Sequence, residues 1–322
     1  MIVPQHWAEA RLRERISGRQ VTVRRFGWSD ASVADAERHA AERVAEAIGR
    51  VRAGESVPRR ERKLVYGGAE GLPIREEVVG RHGSAVLTRN GYGAVCLNTP
   101  DVLFADIDLE QRLTLLWGQC GAVLLLLAAL GACVAARWQT VAALVAAAVG
   151  ILLVERLAFW WRRRKNKFER QARGRIARFA AAHPDWHLRV YRTPAGFRVL
   201  VLHRLFDPAS DEVTACFREL GTDPVYAQMC RLQNCFRARV SPKPWRVGVT
   251  DHIRPHRGAW PVAAGWLPGR AAWVARYDDK ARGFAACRFE FAVGGGGSVP
   301  AAEAVRRLHD ELCRADGGLP LG

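Results

Sequence analysis

The chain has 322 residues, with 49 Lys and Arg against 32 Asp and Glu, for a net charge of +17. Its eight cysteines are scattered, which argues against a disulfide framework and fits thiols kept reduced. Glu9, Arg11, Arg13, Glu14 and Arg15 stand where a secretory signal needs an apolar run, so no such signal is expected.

In chain order, residues 7 to 16 read as a short charged helix and 20 to 26 as a strand. Val33, Ala36, Ala40, Val44, Ala47 and Val51 recur at three- and four-residue steps, which predicts a helix over about 30 to 52, capped by Ser29 and followed by Gly54. Arg59, Arg60, Arg62 and Lys63 form a basic connector. Short runs at 84–88, 92–97 and 101–107 read as strands, and Asn90-Gly91 marks a hairpin between the first two.

Residues 113–136 and 138–154 follow as two apolar runs without a charge, separated by Arg137. As helices they would be about 36 Å and 25 Å long, against a hydrocarbon core of about 30 Å. Trp117, Trp138, Trp160 and Trp161 fall near their ends, as in an aromatic belt. A transmembrane hairpin over 113–161 is therefore expected, with a buried helical hairpin as the alternative. Nine cations and one acid, Glu169, occupy 162–178. The positive-inside rule then places both termini in the cytoplasm of a bacterial-type inner membrane, with Arg162 to Arg178 against anionic lipid headgroups of the bilayer.

Residues 162–182 read as a basic amphipathic helix, and 187–192 with 197–203 as a hairpin around Thr193-Pro194-Ala195-Gly196. Helices are expected at 211–220 and 224–233, a strand at 235–240, and a third hairpin from 271–277 and 284–293. Gly294 to Gly297 reads as a linker before a last helix at 300–315. The expected fold class is α+β: a mixed or antiparallel sheet core with packed helices, interrupted by the two-helix transmembrane hairpin. The expected parts are 1–112 and 183–293 as two pieces of one cytosolic domain, 113–161 as hairpin, 162–182 as juxtamembrane helix, and 294–322 as linker and terminal helix.

Asp106 and Asp108 flank Ile107 on one predicted strand, so both carboxylates share a face. Paired carboxylates suit Mg²⁺ or Mn²⁺, although Asp108 with Gln111 also fits a helix capping box. His203 ends the strand after the Thr-Pro-Ala-Gly turn. Arg237 and Arg239 share a strand face, with Lys243 and Arg246 close behind, and such guanidinium pairs suit phosphate. Cys230, Cys235, His252 and His256 have loosely zinc-like spacing but read better as buried thiols beside unrelated histidines.

The apolar-Asp-apolar-Asp strand, followed by a Thr-Pro-x-Gly turn and a strand ending in His, resembles the archaeo-eukaryotic primase-polymerase superfamily. The resemblance covers residues 103–109 and 193–203, and no third acidic motif is evident. It implies an α+β, RRM-like sheet core, metal held by Asp106 and Asp108, and nucleotide phosphate contacted by His203. Beside the resemblance, the strand pattern adds Arg237, Arg239, Lys243 and Arg246 as candidate phosphate partners. The resulting expectation is an inner-membrane protein whose cytosolic domain carries a Mg²⁺- or Mn²⁺-dependent nucleotide-binding or nucleotidyl- or phosphoryl-transfer site, with Asp106, Asp108 and His203 catalytic and a nucleotide or nucleic acid as partner. A non-catalytic membrane-anchored scaffold or sensor is the rival.

Overall fold

The computed structural model describes residues 1–59, 73–108, 150, 156, 166–255 and 260–322. It divides into one unit made of Met1–Ile107 with Phe179–Gly322 and a second unit, Asp108–Arg178.

The fold is α+β, and its sheets pair antiparallel wherever register is described. Among the described residues no helix is long and apolar enough to cross a membrane. The transmembrane hairpin, the inner-membrane location and the topology inferred from it are therefore withdrawn. Apart from Gly150 and Arg156, the apolar runs at 113–161 lie outside the described residues. The long uncharged stretch was legible, but length and hydropathy alone do not establish a spanning helix.

The chain opens with a two-stranded ribbon, β1 (His6–Ile16) and β2 (Arg19–Ser29), covered on one face by α1 (Val33–Arg52). The short helix expected at 7–16 is thus a strand. Ala8, Ala10, Leu12, Glu14 and Ile16 alternate with Glu9, Arg11, Arg13 and Arg15 at period two, and full pairing with β2 overrides the helical propensity of Glu, Arg and Leu. Val21, Val23, Ala47 and Ile48 form the core between ribbon and helix. Ser32, not Ser29, caps α1, its hydroxyl accepting from Asp35 N–H at 3.0 Å.

One four-stranded sheet has the order β3-β4-β5-β9, with β3 Glu77–His82, β4 Ala85–Arg89, β5 Val95–Thr99 and β9 Phe236–Arg239. The other has the order β10-β7-β8-β6, with β6 Phe104–Asp108, β7 Leu188–Arg192, β8 Gly196–Val201 and β10 Arg288–Val293. The remaining helices are α2 over 166–182, α3 (Asp211–Leu220), α4 (Pro224–Gln233), α5 (Leu267–Ala281) and α6 (Pro300–Cys313). The hairpin expected from 271–277 and 284–293 does not form. Residues 267–281 are helical, with Trp273 and Tyr277 stacked at 5.3 Å, while Arg288–Val293 pairs with β7. The apolar residues of 271–277 fit a four-residue step as well as an alternation, and packing chose the helix.

Gly27 marks the closest approach in the ribbon unit. A Cβ there would lie 2.2 Å from Ala36 O and 2.2 Å from Ala40 N, both backbone atoms. Gly49, on α1, has open space around it. Gly27→Ala should therefore cost about 3 kcal/mol of unfolding free energy, because backbone must move. Gly49→Ala should add about 0.5–1 kcal/mol. Urea titration of both variants checks this pair, and equal effects would mean that α1 does not rest on the ribbon.

Candidate metal centre

The terminal helix α6 buries Ala302, Val305, His309, Asp310 and Cys313. Four of these fall at three- and four-residue steps, so His309 and Cys313 extend an apolar stripe by two turns. That stripe lies on the sheet containing β6, β7 and β8. Phe104 on β6 and Tyr191 on β7 stand 5.2 Å and 4.6 Å from the His309 ring, which fixes the ring's plane.

Cys287 reaches the same place from the residues just before β10. Ala286 N–H donates to Cys313 O at 3.0 Å, and Phe289 N–H to Ala315 O at 2.9 Å. This clasp brings the two cysteines together. His309 Nε2 lies 3.5 Å from Cys313 Sγ and 3.8 Å from Cys287 Sγ, and all three ligand atoms lie within 4.8 Å of one another. All three residues have no exposed surface.

The second ring nitrogen is held as well. His309 Nδ1 is 3.1 Å from Asp310 Oδ1, which also accepts from the Tyr191 hydroxyl at 2.5 Å. Arg189 and Arg306 contact the other Asp310 oxygen at 2.9 Å and 2.8 Å. Burial works against the charge on Asp310, but His309, Tyr191 and Arg189 outweigh it and lower its pKa. With a carboxylate on Nδ1, that nitrogen carries the proton and the Nε2 lone pair is directed at the two sulfurs.

Beside them lies Arg198, which is 2% exposed. It donates through Nε and Nη2 to the two oxygens of Asp106, at 2.7 Å and 3.1 Å. Its Nη1 donates to Arg239 O at 2.9 Å and approaches His309 Nε2 at 3.3 Å. Burial opposes the charge on Arg198, and Asp106 more than restores it. Burial likewise opposes a thiolate at Cys287, but a hydrogen bond from Cys313, then His309 and Arg198, lower its pKa. Cys313 moves the other way, raised by burial and by Cys287.

The residues singled out in the sequence are distributed differently. Asp106 is held by Arg198, and Asp108 is exposed at the end of β6. Val201 N–H donates to Leu103 O while Arg198 meets Asp106, so β6 and β8 run in opposite directions. Asp106 then stands opposite Arg198, and His203 lies five residues further on, about 16 Å away along the sheet. The structure does not bring Asp106 and His203 together. His203 packs on Trp186 at 4.7 Å and Phe206 at 5.5 Å, and both ring nitrogens are buried without a hydrogen-bond partner among the described residues. Arg237 is buried and ion-paired with Glu76. The Arg239 carbonyl serves Arg198, and Lys243 lies over the Trp245 ring at 5.4 Å. Arg246 closes the one-turn 3₁₀ helix Pro244–Arg246.

Cys230 and Cys235 are buried thiols, raised by burial, while His252 is exposed and His256 lies outside the described residues. The three-residue centre was missed because Cys287 is remote from the other two in sequence. His309 and Cys313, four apart on the predicted last helix, were the legible half of it. No protein-family model, curated protein or solved structure matches the chain, so the primase-polymerase resemblance stands on its short motifs alone.

Two measurements test this geometry. Arg198→Met should cost about 3–5 kcal/mol by leaving the Asp106 carboxylate without its cation, while Arg198→Met with Asp106→Leu should cost less than the single change. Additive losses would show that the pair is not coupled. Burial, then the Arg204 cation, lower the His203 pKa from 6.5. The unfolded chain therefore takes up that proton more readily, so this contribution to stability is full above about pH 6.5 and declines as pH falls. His203→Phe should flatten the acid-side decline in Tm, and an unchanged decline would assign it to other groups.

Proposed function

We propose that this protein is a metalloprotein in which Cys287, His309 and Cys313 hold one zinc-type ion with a structural role. The observation that carries the reading is the shape of the donor set. Zinc binds thiolate at about 2.3 Å and imidazole at about 2.0–2.1 Å, which at tetrahedral angles puts sulfur and nitrogen about 3.5 Å apart. The two sulfur–nitrogen edges here are 3.5 Å and 3.8 Å.

The surroundings support it. Two sulfurs and a nitrogen are a soft donor set, which favours zinc over the oxygen-seeking Mg²⁺ and Mn²⁺. Asp310 on Nδ1 is the outer carboxylate that commonly orients a metal-bound histidine. Two thiolates balance a dication, and Arg198 is already balanced by Asp106. An ion at Nε2 replaces the 3.3 Å contact from Arg198, whose other three hydrogen bonds remain. No fourth side-chain ligand stands at the centre among the described residues. Complete burial of the three side chains gives a substrate no path to them and favours a structural role over a catalytic one. The ion would tie the segment before β10 to α6.

The protein purified without chelator should carry about one zinc per chain by mass spectrometry of the metal. Cobalt(II) in its place should show a thiolate-to-metal charge-transfer band that Cys313→Ser weakens. Free zinc at about one hundred times its Kd should add about 2.7 kcal/mol of stability. Folded protein with substoichiometric metal, no cobalt–thiolate band and no zinc-dependent change in Tm would rule the centre out.

A further inference from the structure

The β1–β2 ribbon has two unlike faces. Ala10, Leu12, Glu14 and Ile16, with their partners Arg25, Val23, Val21 and Arg19, lie on the side of α1. On the other side the register sets Arg11 opposite Arg24, Arg13 opposite Thr22 and Arg15 opposite Gln20. Glu9 is the one acid on this face, and it pairs with Arg24 at 2.8 Å. Arg13 bonds the neutral Gln20 and Arg15 the Gly18 carbonyl, so neither is neutralised. Arg11 has no ion-pair partner among the described residues, and Arg11, Arg13 and Arg15 are all exposed.

We propose that this outer face is a docking surface for duplex DNA, with the ribbon laid in the major groove. The dimensions agree. A two-stranded ribbon is one of the elements that a groove about 12 Å wide admits. Strands of 11 residues reach about 36 Å, enough to follow the groove over several base pairs. Arg11, Arg13 and Arg15 repeat at about 6.6 Å along one strand, so three cations stand in a row toward the phosphates that line the groove. The chemistry favours a duplex over other polyanions. Stacking on single strands needs exposed aromatics, but Trp7, Phe26 and Trp28 on this face are covered by the guanidinium groups of Arg75 and Arg43. Insertion into a lipid surface needs apolar side chains, and none stands among Arg11, Arg13, Arg15, Arg24, Thr22 and Gln20. This surface is separate from the metal centre and does not depend on it.

Fluorescence anisotropy of the full chain with a mixed-sequence duplex of about 20 base pairs, at salt from about 50 to 200 mM, tests the proposal. Each phosphate contact contributes about 0.9 to the slope of log K against log salt. Arg11→Gln/Arg13→Gln/Arg15→Gln should make that slope shallower by about 2.7 and weaken binding at about 50 mM salt at least tenfold. A charge-matched control, Arg276→Gln/Arg282→Gln/Arg307→Gln, should leave the slope unchanged. The sites are exposed, and matching circular dichroism and metal content would show that both variants fold. The proposal falls if the wild-type chain does not bind the duplex, if both triple variants lose binding equally, or if the ribbon variant keeps the wild-type slope. It also falls if the ribbon variant loses binding only to vesicles containing anionic lipid.

Discussion

A single buried cation joins the parts of this fold that are far apart in sequence. Arg198 lies in the middle of β8 and spends its donors on a carboxylate from β6, a backbone carbonyl from β9 and the imidazole of α6. It therefore touches both four-stranded sheets and the terminal helix. A buried guanidinium is tolerated only where its charge and its N–H groups are matched, and a fork of fixed geometry can meet a bidentate carboxylate and a carbonyl together. Asp106 supplies the charge, so a residue that reads as a metal ligand in isolation is committed to holding the sheet together.

The Cys287–His309–Cys313 centre is built on that frame. Its histidine is oriented by Asp310, flanked by two aromatic rings, and approached by Arg198. Each neighbour removes a degree of freedom from the ring, which leaves one lone pair directed at two sulfurs. Pre-orientation of this kind lowers the ordering cost of capturing an ion. The ribbon at the start of the chain follows a different logic. Arg11, Arg13 and Arg15 are exposed, and Arg13 and Arg15 bond neutral groups, so the outer face of the ribbon stays basic.

Residues two apart on a strand share a face, and that rule grouped Asp106 with Asp108 and Arg237 with Arg239 in the sequence. It could not say what stands opposite. Asp106 meets Arg198 because β6 and β8 run antiparallel, and the same direction carries His203 to the far end of the sheet. Arg237 meets Glu76, which belongs to a segment for which the sequence offered no strand.

Local pattern by itself determined the α+β class, the helices at Asp211–Leu220 and Pro224–Gln233, a hairpin between β4 and β5 (though with a loop over 90–94 in place of the two-residue Asn90-Gly91 turn) and the terminal helix, because caps, periodicity and turn residues act within a few positions. Only the tertiary structure decided the rest. Pairing along eleven residues made β1 a strand despite its helix-forming composition. Packing turned 267–281 into a helix, and the clasp between Ala286 and Cys313 brought together three side chains that could hold a metal, from positions 287, 309 and 313. The physical reason is common to all three. Register, sheet direction and helix docking are set by partners that lie far away along the chain, and their contribution exceeds the few tenths of a kcal/mol, roughly, by which local propensity prefers one element over another.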